Sequence, residues 1–151
     1  MNNRRKATQN RMRLILPAVS VNEGVARAAV AAFCAQADPG ISELADVKCA
    51  VSEAVTNCIV HAYKNGMGMI YITVLLRGGE LRVIVKDKGC GIADVAQARE
   101  PLFTTDAADE RSGMGFTVME NFMDRLTVRS RPGKGTVVAM TKRIGSLVEG
   151  E

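Results

Sequence analysis

The 151-residue sequence has no tryptophan, only two tyrosines and four phenylalanines, and a single histidine, His61. Its four cysteines, Cys34, Cys49, Cys58 and Cys90, form no CxxC pair. With one histidine beside them, no ligand set at the spacing of a structural zinc site exists. No apolar run approaches the roughly 18 residues that a membrane span needs, so no membrane partner is expected. The basic first thirteen residues are not followed by an apolar stretch, which argues against a secretory signal. Between residues 2 and 11 only Ala7 is apolar, which argues equally against an amphipathic targeting helix. Cys34, Cys49 and Cys58 fall in apolar helical patterns, where buried free thiols are common, so a reducing, cytoplasmic setting is expected.

What is present is the composition of a globular domain, 47% hydrophobic and 24% charged. A chain of this length forms about one domain and buries roughly 70% of its unfolded surface. Lys and Arg number 20 against 16 acidic residues, a net charge of +4, which invites a nucleic-acid reading. The excess lies at the start: Arg4, Arg5, Lys6, Arg11 and Arg13 have no acidic neighbour within residues 1–13. Residues 14–151 then hold 15 basic and 16 acidic groups. The expectation is a charged tail on a neutral body, with no direct contact to nucleic acid.

Along the chain, residues 1–10 read as a flexible basic tail and 11–18 as a strand ended near Pro17. Ser20 or Asn22 is placed to cap a helix through Ala37, with Val25, Ala28, Ala29, Ala32 and Phe33 as its apolar stripe. Asp38-Pro39-Gly40 breaks it, and Ser42 with Glu43 opens the longest helical pattern, which Asn65-Gly66 stops. Met69–Leu76 and Glu80–Asp87 form a hairpin about Arg77-Gly78-Gly79. From Lys88 to Gly115 the sequence is aperiodic, as a lid or binding loop would be. A short helix over Phe116–Asp124 and a hairpin of Leu126–Ser130 with Thr136–Lys142 complete the domain, taken as residues 11–145, with 146–151 as a C-terminal tail. The order predicts an α+β two-layer sandwich, a mostly antiparallel mixed sheet with helices on one face.

Three features carry chemistry. On the long helix, Val47, Ala50, Val51, Ala54, Val55, Cys58 and Ile59 share one face, and Glu53, Asn57 and His61, at i, i+4 and i+8, flank it. The Asn57 carboxamide is a hard oxygen ligand suited to Mg²⁺, and the Glu53 carboxylate can take a hydroxyl proton. Taken alone, this row is also what a solvated helix edge looks like. Asp87, at the end of an apolar strand, precedes Gly89-Cys90-Gly91, where backbone can approach a ligand closely; a plain turn has the same signature. Gly113-Met114-Gly115 opens a helix whose N-terminal amides can hold an anion. By contrast, GKGT at 133–136 lies between two strands and is a hairpin rather than a phosphate loop.

In this order the three features resemble the GHKL, or Bergerat-fold, ATP-binding family. A narrower likeness, to the sporulation anti-sigma F factors, which are serine protein kinases of that family, covers about residues 11 to 143. It rests on Ser52-Glu53-Ala54-Val55-Thr56-Asn57, Glu100-Pro101-Leu102-Phe103-Thr104-Thr105 and the run Glu110 to Asp124. The resemblance implies ATP or ADP with Mg²⁺ as cofactors, and a homodimer. It also implies two protein partners: a sigma F factor that is held, and an anti-anti-sigma factor whose serine is phosphorylated. By matching position it makes Glu53 the general base, Asn57 the Mg²⁺ ligand and Asp87 the adenine reader. Gly89 and Gly91 would shape the adenine pocket, Gly113 and Gly115 cradle phosphates, and Thr136 lie near the base. Residues 99–112 would be an ATP lid, with Thr104, Thr105, Arg111 and Ser112 among the nucleotide contacts. Arg111 would reach the γ-phosphate or a docked partner, and Arg27, with Glu23, would occupy the partner-contact position. Ala62 and Cys90 depart from the family pattern, and the basic tail has no counterpart. A kinase for a stress sigma factor, or a sequestering module that binds ATP without catalysis, are the alternative readings.

Overall fold

A computed structural model describes residues 9–64, 67–100 and 115–145. Five strands form one sheet: β1 (Gln9–Pro17), β2 (Met69–Arg77), β3 (Glu80–Asp87), β4 (Arg125–Arg131) and β5 (Gly135–Arg143). Their order is β1-β2-β3-β5-β4, and all four pairings are antiparallel, in keeping with the mostly antiparallel sheet expected. On one face lie α1 (Val21–Cys34), α2 (Ile41–Asn57, continued by a π turn over Cys58–Ala62), the single turn α3 (Val95–Ala98) and α4 (Gly115–Phe122).

Alternation along the strands decides which side chains enter the core. Ile70, Ile72, Val74 and Leu76 of β2, Leu81, Val83 and Val85 of β3, and Met140 of β5 are at most 1% exposed and meet the helices. The expected stripe of α2 is borne out in its register: Val47, Ala50, Val51, Ala54, Val55 and Cys58 are buried, with Ile59 partly so. The stripe of α1 is not. Its core face is Ala26, Val30, Phe33 and Cys34, while Val25, Ala28 and Ala32 are exposed. That helix is apolar on nearly all sides, so periodicity alone cannot choose a face. The packing of α1 on α2 and the sheet, which leaves Val30 fully buried, makes the choice.

Local chemistry accounts for the boundaries. The two hairpin glycines Gly78 and Gly79 both have positive φ, 57° and 82°, as a tight two-residue turn between twisted strands requires. Glu43 accepts from the Gly40 N–H (2.9 Å), satisfying an orphan donor at the start of α2, and from the Gly145 N–H after β5 (3.2 Å). β1 begins at Gln9, which pairs with Arg77, and Asn10 pairs with Leu76, so the expected tail of residues 1–10 gives its last two residues to the sheet. Lys88 to Glu100 contains the turn α3, capped by Asp94 accepting from the Gln97 N–H (3.0 Å). One turn is too short to show a period in sequence.

Candidate functional site

A cavity of about 330 Å³ opens between α2, the C-terminal end of β3, the following loop, α4 and β5. Its walls include Asn57, Cys58 and His61 from α2 and its π turn, Asp87 from β3, Gly91 and Ile92 from the loop, and Thr136 and Val138 from β5. Four residues picked out in sequence, Asn57, Asp87, Gly91 and Thr136, are therefore brought to one place from separate elements.

Asp87 is 6% exposed and is the polar floor of this space. Its Oδ1 accepts from the Gly89 N–H (3.0 Å) and the Thr136 N–H (3.2 Å). Its Oδ2 accepts from the Cys58 thiol at 3.6 Å. Desolvation by burial raises the Asp87 pKa above the usual carboxylate range, against the lowering effect of the Gly89, Cys58 and Thr136 donors. Burial, with the neighbouring Asp87 charge, likewise pushes the Cys58 thiol far up, so it remains a protonated donor. With Oδ1 held by two backbone amides, Oδ2 is the oxygen left with acceptor capacity. A buried carboxylate so arranged suits an amine donor in an otherwise apolar slot.

The glycines act by close approach. A Cβ at Gly89 would fall on the Ala62 carbonyl at the end of α2, and one at Gly91 (φ 75°) on the Arg131 carbonyl. Gly89 thus shapes the pocket by packing, without being part of its wall, and Gly91 lines it. A Cβ on Gly115 would meet the Asn57 amide oxygen at 3.3 Å and Glu53 Oε2 at 3.5 Å. The N-terminus of α4 is thereby set against both polar residues of α2. Helix N–H groups, which favour an anion, thus lie on one side, and a hard oxygen ligand and a carboxylate, which favour a cation or a proton donor, lie on the other. Glu53 sits beside the cavity and is not part of its wall.

Arg27 donates to Glu23 (2.7 Å) and reaches Ser52 Oγ (3.4 Å), next to Glu53 on α2. Of the expected lid, Arg99 is ion-paired with Glu120 of α4 and Glu100 is exposed. Thr104, Thr105, Arg111, Ser112 and Gly113, with the rest of 101–114, lie outside the described residues, as do residues 1–8, Asn65, Gly66 and residues 146–151.

Three contributors escape a reading of the sequence. Cys58, in pattern an ordinary buried thiol, bonds Asp87. Ser130 accepts from the Ile92 N–H (2.7 Å), donates to the Gly135 carbonyl (2.9 Å) and meets Thr136 Oγ1 at 2.8 Å, tying loop, turn and β5 together. A polar residue at the inward position of β4, following Leu126 and Val128, is its available signal. Tyr63 bridges the Met69 carbonyl (2.7 Å) and the Lys88 N–H (2.6 Å), holding the end of α2 to both strands. Cys49, expected to be buried, is exposed, because it lies off the α2 stripe that faces the sheet.

The profile of the family described as Histidine kinase-like ATPase domain matches residues 16–142. The chain is 56% identical over 137 residues to the anti-sigma F factor of Thermoanaerobacter sp. strain X514, covering 91% of this chain and 96% of that protein. It is 57% identical to the anti-sigma F factor of Caldanaerobacter subterraneus subsp. tengcongensis, covering 90% and 95%. To that of Bacillus licheniformis it is 50% identical, covering 90% and 94%. Among solved structures, the fold resembles the RsbU and RsbW domains of a Mycobacterium tuberculosis protein, with a TM-score of 0.65 at 21% identity, covering 89% of this chain and 32% of that one. It also resembles the Erythrobacter litoralis EL346 blue-light activated histidine kinase, with a TM-score of 0.59 at 19% identity, covering 81% and 42%. Among the described residues no helix is long and apolar enough to cross a membrane. The chain belongs to the histidine kinase-like ATPase family and, within it, to the anti-sigma F factors.

Proposed function

We propose that this chain is a nucleotide-dependent serine kinase and anti-sigma factor, holding a sigma F factor and phosphorylating a serine of an anti-anti-sigma factor. The observation that carries the reading is the meeting of Asn57 and Glu53 with the N-terminus of α4 at Gly115, beside a cavity floored by Asp87. ATP or ADP fits this space: Asp87 Oδ2 accepts from the adenine 6-amino group, and the amides opening α4 face the phosphates. Gly113, Thr104, Thr105, Arg111 and Ser112 belong to the same reading as nucleotide contacts, with Thr136 holding Asp87 from beneath. Mg²⁺, when bound, neutralises phosphate charge. Asn57 would hold it, the remaining ligands coming from phosphates and water, since no group of three or more His, Cys, Asp or Glu side chains among the described residues could hold a metal ion.

Glu53 accepts the proton of the incoming serine hydroxyl as the serine oxygen bonds the γ-phosphorus and the β–γ bridging bond breaks, releasing ADP. General-base action of this kind contributes about 10²–10⁴-fold. Arg27 and Glu23, on the α1 surface next to Ser52, form the partner-contact point, and Arg111 joins them. The homodimer reading is supported by apolar exposure around the start of α1: Ile15, Val19, Val21 and Val25 are 46–73% exposed.

The test is incubation with γ-labelled ATP, Mg²⁺ and the anti-anti-sigma protein, read as phosphoserine, beside nucleotide binding by calorimetry. Wild type transfers phosphate, and Glu53→Gln binds nucleotide yet loses transfer by about 10²-fold or more. A fully active Glu53→Gln removes the assigned base. Binding without transfer in the wild type leaves the sequestering-module reading instead.

A further inference from the structure

The helices cover one face of the sheet, and of the 23 positions that point to the other, nine are cationic and one is acidic. Outward positions carry Arg11 and Arg13 on β1, Arg82 and Lys86 on β3, and Arg125, Arg129 and Arg131 on β4, all exposed. Strand register arranges them. Arg11, Leu75, Arg82, Thr141 and Arg125 lie on one line across the five strands. Ile15, Tyr71, Lys86, Val137 and Arg129 lie on another. With neighbouring strands about 4.8 Å apart, cations on β1, β3 and β4 recur roughly every 10 Å over a face about 19 Å wide. Arg125 to Arg131 adds about 20 Å along the strand. The outward positions hold one carboxylate, Glu80, whose register neighbours Arg77 and Arg143 are themselves cationic. Among the described residues the ion pairs use Arg27, Arg99 and Lys142, none of them on this face.

We infer that this face binds the phosphate backbone of duplex nucleic acid without reading its sequence. Protein interfaces place apolar residues at the centre and are depleted of charge there. Here Arg82 and Lys86 occupy the middle strand, on either side of Ile84, so cations reach the centre of a face whose other central residues, Tyr71, Leu75, Val137 and Ala139 among them, are neutral. The cations are mostly guanidinium groups, whose fork matches phosphate oxygens. The face has one aromatic ring, Tyr71, and the Lys88 ammonium lies over it at 4.9 Å. It therefore offers no stacking platform of the kind unpaired bases use. This surface is independent of the nucleotide cavity, because Asp87, Thr136 and Val138 point to the opposite side of the sheet.

The experiment is fluorescence anisotropy of the full chain with a labelled duplex of about 20 base pairs and arbitrary sequence. If four cations each meet a phosphate, affinity falls about 150-fold between roughly 50 and 200 mM salt. The triple variant Arg82→Gln, Lys86→Gln, Arg129→Gln falls only about fourfold over the same range. Unchanged ATP binding in the triple variant shows that it is folded. A triple variant with wild-type affinity and salt slope overturns the assignment, as does duplex binding that is lost only on deleting residues 1–8. Equal affinity for single-stranded DNA overturns the duplex reading. Retention on polyglutamate with no duplex binding at the lower salt overturns it in favour of an acidic protein.

Discussion

Replacing Asp87 by Asn separates recognition from folding. The two side chains are nearly isosteric, and the new carboxamide can keep its Oδ1 on the Gly89 and Thr136 amides at the 3.0 and 3.2 Å seen for Asp87. Those two bonds fix its orientation, because flipping it would aim an NH₂ group at two backbone N–H donors. The group facing the cavity then changes from an acceptor to a donor. An adenine 6-amino group loses its acceptor and meets a second donor. Hydrogen bonds to a charged group contribute about 1.5–3 kcal/mol, so the affinity for ATP falls by roughly 12- to 160-fold. A nucleotide with a 6-oxo group, such as ITP, presents an acceptor to the NH₂ of Asp87→Asn, so its affinity rises relative to that of ATP. Folding responds differently. Desolvation is the largest influence on the Asp87 pKa, so a neutral side chain removes a burial cost and the ligand-free protein loses no stability at neutral pH. Calorimetry with ATP and ITP, alongside thermal denaturation of the free protein, measures all three quantities. ATP affinity within about twofold of wild type, far short of the loss that a charged hydrogen bond implies, would refute the adenine assignment. Equal losses for ATP and ITP would show a distorted pocket instead.

The same carboxylate sets a pH dependence. Its raised folded pKa means that nucleotide affinity falls as pH drops through that value, while its contribution to the stability of the free protein is fullest below the ordinary carboxylate pKa and is lost as pH rises through the raised one. Asp87→Asn flattens both profiles, and titrations across about pH 4–8 check this. Gly89→Ala drives a methyl group into the Ala62 carbonyl, costing about 2 kcal/mol and lowering Tm by roughly 4–8 °C, with nucleotide binding weakened; an unchanged Tm contradicts the close packing. Arg27→Ala breaks a part-exposed i,i+4 pair worth only about 0.5 kcal/mol, so folding and ATP binding persist while capture of the sigma or anti-anti-sigma partner weakens in pull-down.

Much of this was legible because it depends on local pattern. The period-two strands, the positive-φ glycines of the β2–β3 turn and the apolar face of α2 are consequences of nearby residues, and each appears where its spacing places it. What was not legible depends on partners distant in the chain. Cys58 gains its role from Asp87, 29 residues away, and nothing on α2 distinguishes it from Cys34, whose thiol burial raises to a pKa of about 11 and which is not part of the wall of the Asp87 cavity. The face of α1 is chosen by what packs on it, since its own apolar residues fit more than one stripe. Net charge is silent on placement for a related reason. Residues 14–151 are close to neutral in sum, which argued against a nucleic-acid surface. A sum discards position, whereas strand alternation sorts residues by parity. Arg11 and Arg13, Arg82 and Lys86, and Arg125, Arg129 and Arg131 share their strands' outward parity, while most acidic groups sit on helices and loops. Of the five basic residues within 1–13, the antiparallel register places Arg11 and Arg13 in β1. These two arginines are the β1 edge of a cationic sheet face that the body itself completes.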